Sequence, residues 1–248
     1  MNGQAARIDI AEWPVAIVAG GFGSRLRPLT KSIPKALIMV AGEPFITHQL
    51  RLLYSRGIRR AVLCLGYLGE LVASQLGDGA RFGLTIQYSF DGPRLLGTGG
   101  ALKRATSKLA NRFFVLYGDS YLPTDYMQVA KAFEESGKPA LMTVFRNENR
   151  WDRSNVWFNG NEIRRYEKNE HLPQMQHIDY GLGVVQSDVF ENWPEDEPFD
   201  LADVYRILIG KKQLAGFEVS ERFYEVGSRK GLAELDSLLR NPAAFSVR

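Results

Sequence analysis

The stretch Val15-Ala-Ile-Val-Ala-Gly20-Gly-Phe-Gly-Ser-Arg25-Leu-Arg-Pro-Leu-Thr30-Lys-Ser-Ile-Pro-Lys35 decides how this chain is read. Residues 15–19 form an unbroken apolar run of strand length, as expected for a strand covered on both faces. The run opens into Gly20, Gly21 and Gly23. Glycine admits positive φ and carries no Cβ, so successive N–H groups can converge on an anion. Arg25 and Lys35 then add full positive charges. A dinucleotide fingerprint would need a further glycine where Leu26 stands, and a Walker loop would need Gly-Lys-Ser/Thr after four intervening residues. The stretch has neither. A glycine turn with solvated charges would explain the glycines alone, but not Arg25, Pro28, Pro34 and Lys35 beside them.

Working outward, apolar runs of strand length alternate with helix-period segments through the first half of the chain. Pro44 opens a helix in which Phe45, Ile46, Gln49, Leu50, Leu53 and Tyr54 share a face, and Gly57 closes it. Strands are expected over 61–65, 84–88, 113–117 and 140–145, with helices over 70–76, 101–109 and around Tyr126, Val129, Ala130 and Phe133. After Arg146 the pattern changes. Asn159-Gly160 between Val156-Trp157-Phe158 and Ile163 signals a hairpin, hence a small antiparallel excursion. A strand over 180–185, a helix over 201–211 capped by Asp200, a last strand ending near Tyr224 and a helix over 230–239 complete the reading. The fold class expected is α/β: one Rossmann-like domain spanning 1–248, with a core of about 15–240 and a mostly parallel twisted sheet between helices.

Composition narrows the function. The 248 residues are 45% hydrophobic and 24% charged, which excludes a disordered chain. Lys and Arg number 31 against 28 Asp and Glu, interspersed rather than clustered, so no nucleic-acid partner is expected. No apolar run approaches the ~20 residues of a membrane span, and the first ten residues hold no leader-like apolar core. The lone Cys64, inside an apolar run, forms no internal disulfide and suits a reducing compartment. A cytoplasmic enzyme is expected. Homodimerisation stays open. His48, His171 and His177 lack the tight pairing with cysteine or further histidine of a zinc site. Trp151, Trp157 and Trp193 read as packing residues.

The opening stretch resembles the signature of the sugar-1-phosphate nucleotidyltransferases, a strand followed by Gly-x-Gly-x-Arg-Leu-x-Pro-Leu-Thr and Pro-Lys. The resemblance continues through Gly42-Glu43-Pro44, Leu96-Gly-Thr-Gly-Gly-Ala101, Gly118-Asp119, Glu167-Lys168, Tyr180-Gly181 and Tyr224-Glu-Val-Gly227, so it spans about residues 15–239. It implies a core that binds a nucleoside triphosphate and a sugar 1-phosphate, whose phosphate attacks the α-phosphorus and releases pyrophosphate.

That reaction brings two polyanions together and calls for fixed cations, backbone donors and a divalent metal. Arg25 would grip the β- and γ-phosphates and Lys35 the α-phosphate, while the backbone at Ala19, Gly20, Gly21 and Gly23 cradles the nucleotide. Asp119, after the strand over 113–117, is the first Mg²⁺ ligand expected. Glu225 is the second, standing where the family usually has Asp. Its extra methylene moves the carboxylate at a metal that tolerates little misplacement. Glu167 and Lys168 would take the sugar hydroxyls and sugar phosphate, although Asn169 replaces the proline that often follows them. Gly181 would let the sugar approach the backbone. The loop from Asp91 through Gly97 and Thr98 matches the base-binding turn, where a carboxylate accepting guanine N1–H and N2–H₂ favours GTP. Segments 96–101 and 114–120 look like heptose- and mannose-1-phosphate guanylyltransferases. Segment 76–83 is similar to N-acetylmuramate-1-phosphate uridylyltransferases, the alternative branch. A non-catalytic nucleotide-binding regulatory domain is the rival of another class. An NAD-dependent oxidoreductase is disfavoured by Leu26.

Overall fold

The computed structural model describes residues 8–241. Residues 1–7 and 242–248, on which the leader and whole-chain domain expectations partly rest, lie outside the described residues. Four strands, β1 (Val15–Val18), β2 (Arg60–Leu65), β3 (Thr85–Phe90) and β4 (Arg112–Tyr117), run parallel in the spatial order β3-β2-β1-β4. Val15 pairs with Ala61 on one side and Phe114 on the other. Five more strands extend the sheet: β5 (Ala140–Arg146), β6 (Val156–Phe158), β7 (Ile163–Tyr166), β8 (His177–Gln186) and β9 (Leu214–Val219). The long β8 is antiparallel to both β4 and β5, and β9 is parallel to β5 on its far side. The β6–β7 hairpin pairs with the start of β8 at His177–Val156.

The helices are α1 (Phe45–Ser55), α2 (Gly69–Leu76), α3 (Gly97–Ala105), α4 (Tyr126–Ser136), α5 (Leu201–Gly210) and α6 (Arg229–Arg240). Alternation along β1 explains its unbroken apolar sequence. Val15 and Ile17 enter a layer with α1, α2 and α4 through Leu50, Val72 and Val129. Ala16 faces a second layer with Leu102 of α3 and Tyr205 of α5. Both faces are covered, so neither can be polar. α6 closes a third, smaller cluster of Val40, Phe45, Val226 and Leu235.

Three expectations are corrected. The helix placed at 101–109 begins at Gly97 and ends at Ala105, followed by a 3₁₀ turn over Thr106–Lys108. Its glycines are there for packing: a Cβ on Gly99 would stand 2.3 Å from the Phe199 ring, and one on Gly100 2.5 Å from the Glu197 carbonyl. The last strand is two elements. β9 pairs with β5, whereas Tyr224–Glu225 forms a separate ribbon with Ser120–Tyr121. Antiparallel structure after residue 146 is also more than an excursion, because β8 lies in the middle of the sheet. The hairpin itself is as read, with Gly160 at φ +91° and the Asn159 side chain accepting from the Asn161 and Glu162 N–H groups.

Candidate active site

The chain leaves β1 for β2 and β3, then returns to place β4 on the other side of β1. A crevice opens at the carboxyl ends of strands at such a reversal. Here it is a cleft of 430 Å³ whose lining includes Ala19, Gly20, Gly21, Arg25, Lys35, Asp91, Gly97, Thr98, Asp119, Lys168, Gly181 and Glu225. Residues scattered over two hundred positions are thus brought to one wall. A contiguous side cavity of 400 Å³ adds Arg153, Asn155, Tyr166 and Glu167.

Gly23 is not on that wall. It sits at φ +60° before a 3₁₀ turn, and its carbonyl accepts the Thr30 hydroxyl at 2.9 Å, so it closes the loop on itself. That bond engages the carbonyl, not the amide expected to cradle the nucleotide. Tyr67 anchors the same loop from outside: its N–H donates to Gly20 O at 3.1 Å, its hydroxyl to Lys31 O at 2.7 Å, and its ring lies 5.2 Å from that of Phe22.

Asp119 follows β4 through Gly118, whose missing Cβ would stand 2.6 Å from the Ala19 Cβ. The glycine of this turn is therefore required by the close approach of the β1 end. Lys35 Nζ donates to Asp119 Oδ2 at 2.8 Å, with both side chains about a quarter exposed or less. Gln49 of α1 is 1% exposed and donates both amide hydrogens to backbone carbonyls, Tyr117 O at 3.1 Å and Ser120 O at 2.7 Å. Gly227 marks where the other charged groups meet. A Cβ there would lie 2.7 Å from Glu225 Oε2, 2.8 Å from Arg25 Nη2 and 3.2 Å from Asp119 Oδ2.

The longer side chain of Glu225 folds back toward α6, accepting from the Gly227 N–H and the Ser228 hydroxyl. Among the described residues no group of three or more His, Cys, Asp or Glu side chains could hold a metal by itself. Magnesium sites commonly use one or two carboxylates and complete their octahedron with water and substrate phosphate oxygens. The two hard carboxylates converging on Gly227 fit that mode.

At the other end of the cleft, Asp91 is 4% exposed, and its Oδ2 accepts the Leu96 N–H at 3.1 Å. Burial pushes its carboxyl above the usual carboxylate range, opposed by Leu96 and Arg104. Its Oδ2 would lie 3.2 Å from a Cβ on Gly20 and 3.0 Å from one on Gly66. The Thr98 hydroxyl donates to Asp200 Oδ1 at 2.8 Å and accepts from the Leu201 N–H. Lys168 Nζ lies 2.8 Å from both Asp200 oxygens. Burial acts to raise the Asp200 carboxyl, but the Ala202 N–H, Lys168 and Thr98 together hold it below its ordinary value. Glu167 pairs with Arg206 at 3.3 Å and Arg165 at 3.5 Å.

Asp179 joins the two cavities. Its Oδ2 accepts from the Tyr166 hydroxyl at 3.0 Å and the Tyr117 hydroxyl at 3.2 Å, and Oδ1 from the Gly181 N–H at 3.0 Å. Burial raises its carboxyl and holds both phenols far above their usual range, so they stay neutral donors. Gly181 sits at φ +93°, which this bond helps fix. Sequence reading passed over Asp179, although it adjoins Tyr180-Gly181, and over Gln49, whose signal was a polar residue on an otherwise apolar helix face.

Over residues 15–155 the sequence matches the family described as Nucleotidyl transferase. This chain belongs to that family. It is 24% identical over 220 residues to the mannose-1-phosphate guanylyltransferase catalytic subunit beta of Danio rerio, covering 86% of this chain and 61% of that protein. It is 33% identical over 139 residues to the UTP–glucose-1-phosphate uridylyltransferase of a Synechocystis species, covering 52% of this chain and 35% of that protein. The chain spans less than two thirds of the length of these curated relatives. Its fold is shared with a crystal structure of HddC from Yersinia pseudotuberculosis, at a TM-score of 0.73 and 22% identity over 92% of this chain and 99% of that one. A putative glucose-1-phosphate thymidylyltransferase from Bacillus anthracis, crystallised with sucrose, superposes at a TM-score of 0.79 with 24% identity over 92% and 96%.

Proposed function

We propose that residues 15–240 form one nucleotidyltransferase unit that converts a nucleoside triphosphate and a sugar 1-phosphate into a nucleoside-diphosphate sugar and pyrophosphate. The observation that carries this reading is the meeting of Arg25, Lys35, Asp119 and Glu225 at the mouth of a glycine-walled cleft. An oxygen of the sugar phosphate forms a bond to the α-phosphorus while the bond from that phosphorus to the α–β bridging oxygen breaks, and pyrophosphate leaves. Arg25 binds the β- and γ-phosphates as charge builds on them. Lys35, held by Asp119, neutralises the α-phosphate. The Gly20 and Gly21 amides orient the triphosphate. Lys168 exchanges Asp200 for the sugar phosphate, and the Glu167 and Gly181 wall receives the sugar. Asp119 and Glu225 would hold Mg²⁺, which when bound supplies charge stabilisation to the transferring phosphoryl group.

The base favoured is guanine, with a heptose- or mannose-type sugar. Asp91 supports this, since its Oδ1 accepts no hydrogen bond from the described residues while its Oδ2 holds the loop. The likeness to mannose-1-phosphate guanylyltransferases agrees with it, and the likeness to a uridylyltransferase keeps UTP as the second reading. No helix among the described residues is long and apolar enough to cross a membrane, and a cytoplasmic site of action is consistent with that. Four nucleoside triphosphates assayed against a panel of sugar 1-phosphates, with pyrophosphate release as the readout, test the whole reading. Nucleotide binding without pyrophosphate release from any pair would replace it with a regulatory role.

A further inference from the structure

Gln49 is a polar side chain in a position that the rest of α1 gives to Phe45, Ile46, Leu50 and Leu53, all fully buried. Its two amide hydrogens reach the carbonyls of Tyr117 and Ser120, the residues that bracket Gly118-Asp119. Its Oε1 is buried with no partner. Leaving a buried acceptor unpaired is costly, so a glutamine kept here for packing alone would be replaced at a gain by an apolar residue of similar volume. The two bonds it makes therefore have to matter.

We propose that Gln49 is a positioning residue, which sets the height of the Asp119 carboxylate in the cleft. The inference rests on the transferase reading for its consequence and on geometry for its cause. Tyr117 is the last β4 residue paired with β1, opposite Val18, and Ser120 is the first of the ribbon, opposite Glu225, so Gly118 and Asp119 between them belong to neither ladder. Gln49 ties both ends of that two-residue step to α1 and so fixes the distance between them. Lys35 then fixes the side chain that Gln49 has fixed at the backbone. The Val226 N–H bonds Asp119 O at 2.9 Å, so the same restraint passes to the strand bearing Glu225. A helix that contacts neither substrate thereby registers both carboxylates.

The test uses Gln49→Met, which keeps length and volume but donates nothing, and Gln49→Glu, which burial keeps protonated and which retains one donor. In protein free of ligand, hydrogen exchange should quicken about tenfold at amides 118–121 and 226 in Gln49→Met, with β1, β2 and the rest of α1 unchanged. In the assay, kcat should fall about tenfold while the KM values for triphosphate and sugar 1-phosphate each stay within about twofold, and Gln49→Glu should fall between wild type and Gln49→Met. Unchanged exchange at 118–121, or acceleration spread evenly through α1 and β4, would overturn the proposal whether or not the protein is a transferase. Local acceleration with wild-type kcat would overturn it as well, by showing that the segment need not be held. Wild-type protein that turns over no substrate would defeat the transferase reading, while the exchange experiment would still decide for or against Gln49.

Discussion

Gly227→Ala is a steric probe of the point where three charged groups meet. Gly227 does not use left-handed backbone, so alanine fits the chain and only the added methyl acts. That methyl would stand 2.7 Å from Glu225 Oε2 and 2.8 Å from Arg25 Nη2, against ordinary contacts of 3.4–4 Å. Both groups must withdraw by about 0.6–0.7 Å to reach ordinary contact with the methyl. Misplacing catalytic groups by about 1 Å costs about a hundredfold, so kcat/KM should fall ten- to a hundredfold. The fold should lose only about 1 kcal/mol, the low end for overpacking, since the ends of long side chains are what move. Gly21→Ala is the contrast, because nothing lies within 4 Å of its Cβ position. It should leave thermal stability unchanged and raise the KM for the triphosphate, whose backbone contact it crowds. The assays are pyrophosphate release at saturating Mg²⁺ and thermal unfolding. Wild-type kcat/KM in Gly227→Ala would refute the convergence of Arg25, Asp119 and Glu225 on the reacting phosphates.

Asp119→Asn should lower turnover at least about a hundredfold while triphosphate affinity by calorimetry changes far less, because a metal ligand acts on charge developing in transfer; near-normal turnover would remove Asp119 from that role. Asp91→Asn keeps an acceptor for the Leu96 N–H but turns a donor toward the base, so kcat/KM for GTP should fall at least about tenfold with UTP little affected, and a wild-type preference for UTP would refute guanine reading outright. Lys168→Ala should raise the KM for the sugar 1-phosphate without raising that for the triphosphate, and equal effects on both would end the division between Lys168 and Arg25. Asp179 is held above its ordinary value of 3.8 by burial, so folding favours its protonated form. Its contribution is greatest below the unfolded value and is lost as pH rises through the folded one. The Tm of Asp179→Asn relative to wild type should therefore climb as pH rises from about 4 and then level off, and a pH-independent difference would contradict this.

Much of this protein was written locally. The apolar run 15–19 had to be a covered central strand because no polar residue interrupts it, and Asn159-Gly160 had to turn because only such residues accept positive φ cheaply. The signature from Gly20 to Lys35 marked, through composition and order alone, a loop that lines the cleft. Tertiary structure decided what depends on a distant neighbour. The helix expected from Ala101 starts at Gly97 instead, where Gly97, Gly99 and Gly100 lie against residues 197–200 too closely for a Cβ. The Gly23 carbonyl accepts the Thr30 hydroxyl seven residues on, a contact the glycine pattern does not announce. Tyr224 read as the end of one strand, yet β9 finds its partner 74 positions back along the chain and the Tyr224–Glu225 ribbon finds its own more than a hundred back. Asp179 and Gln49 carry no motif, and their weight comes from two tyrosines and two carbonyls that only folding brings within hydrogen-bond reach. Spacing along a chain fixes periodicity and turn chemistry, which are local energies. A side chain's task follows from which unpaired group folding sets beside it, and that is a property of the whole sheet.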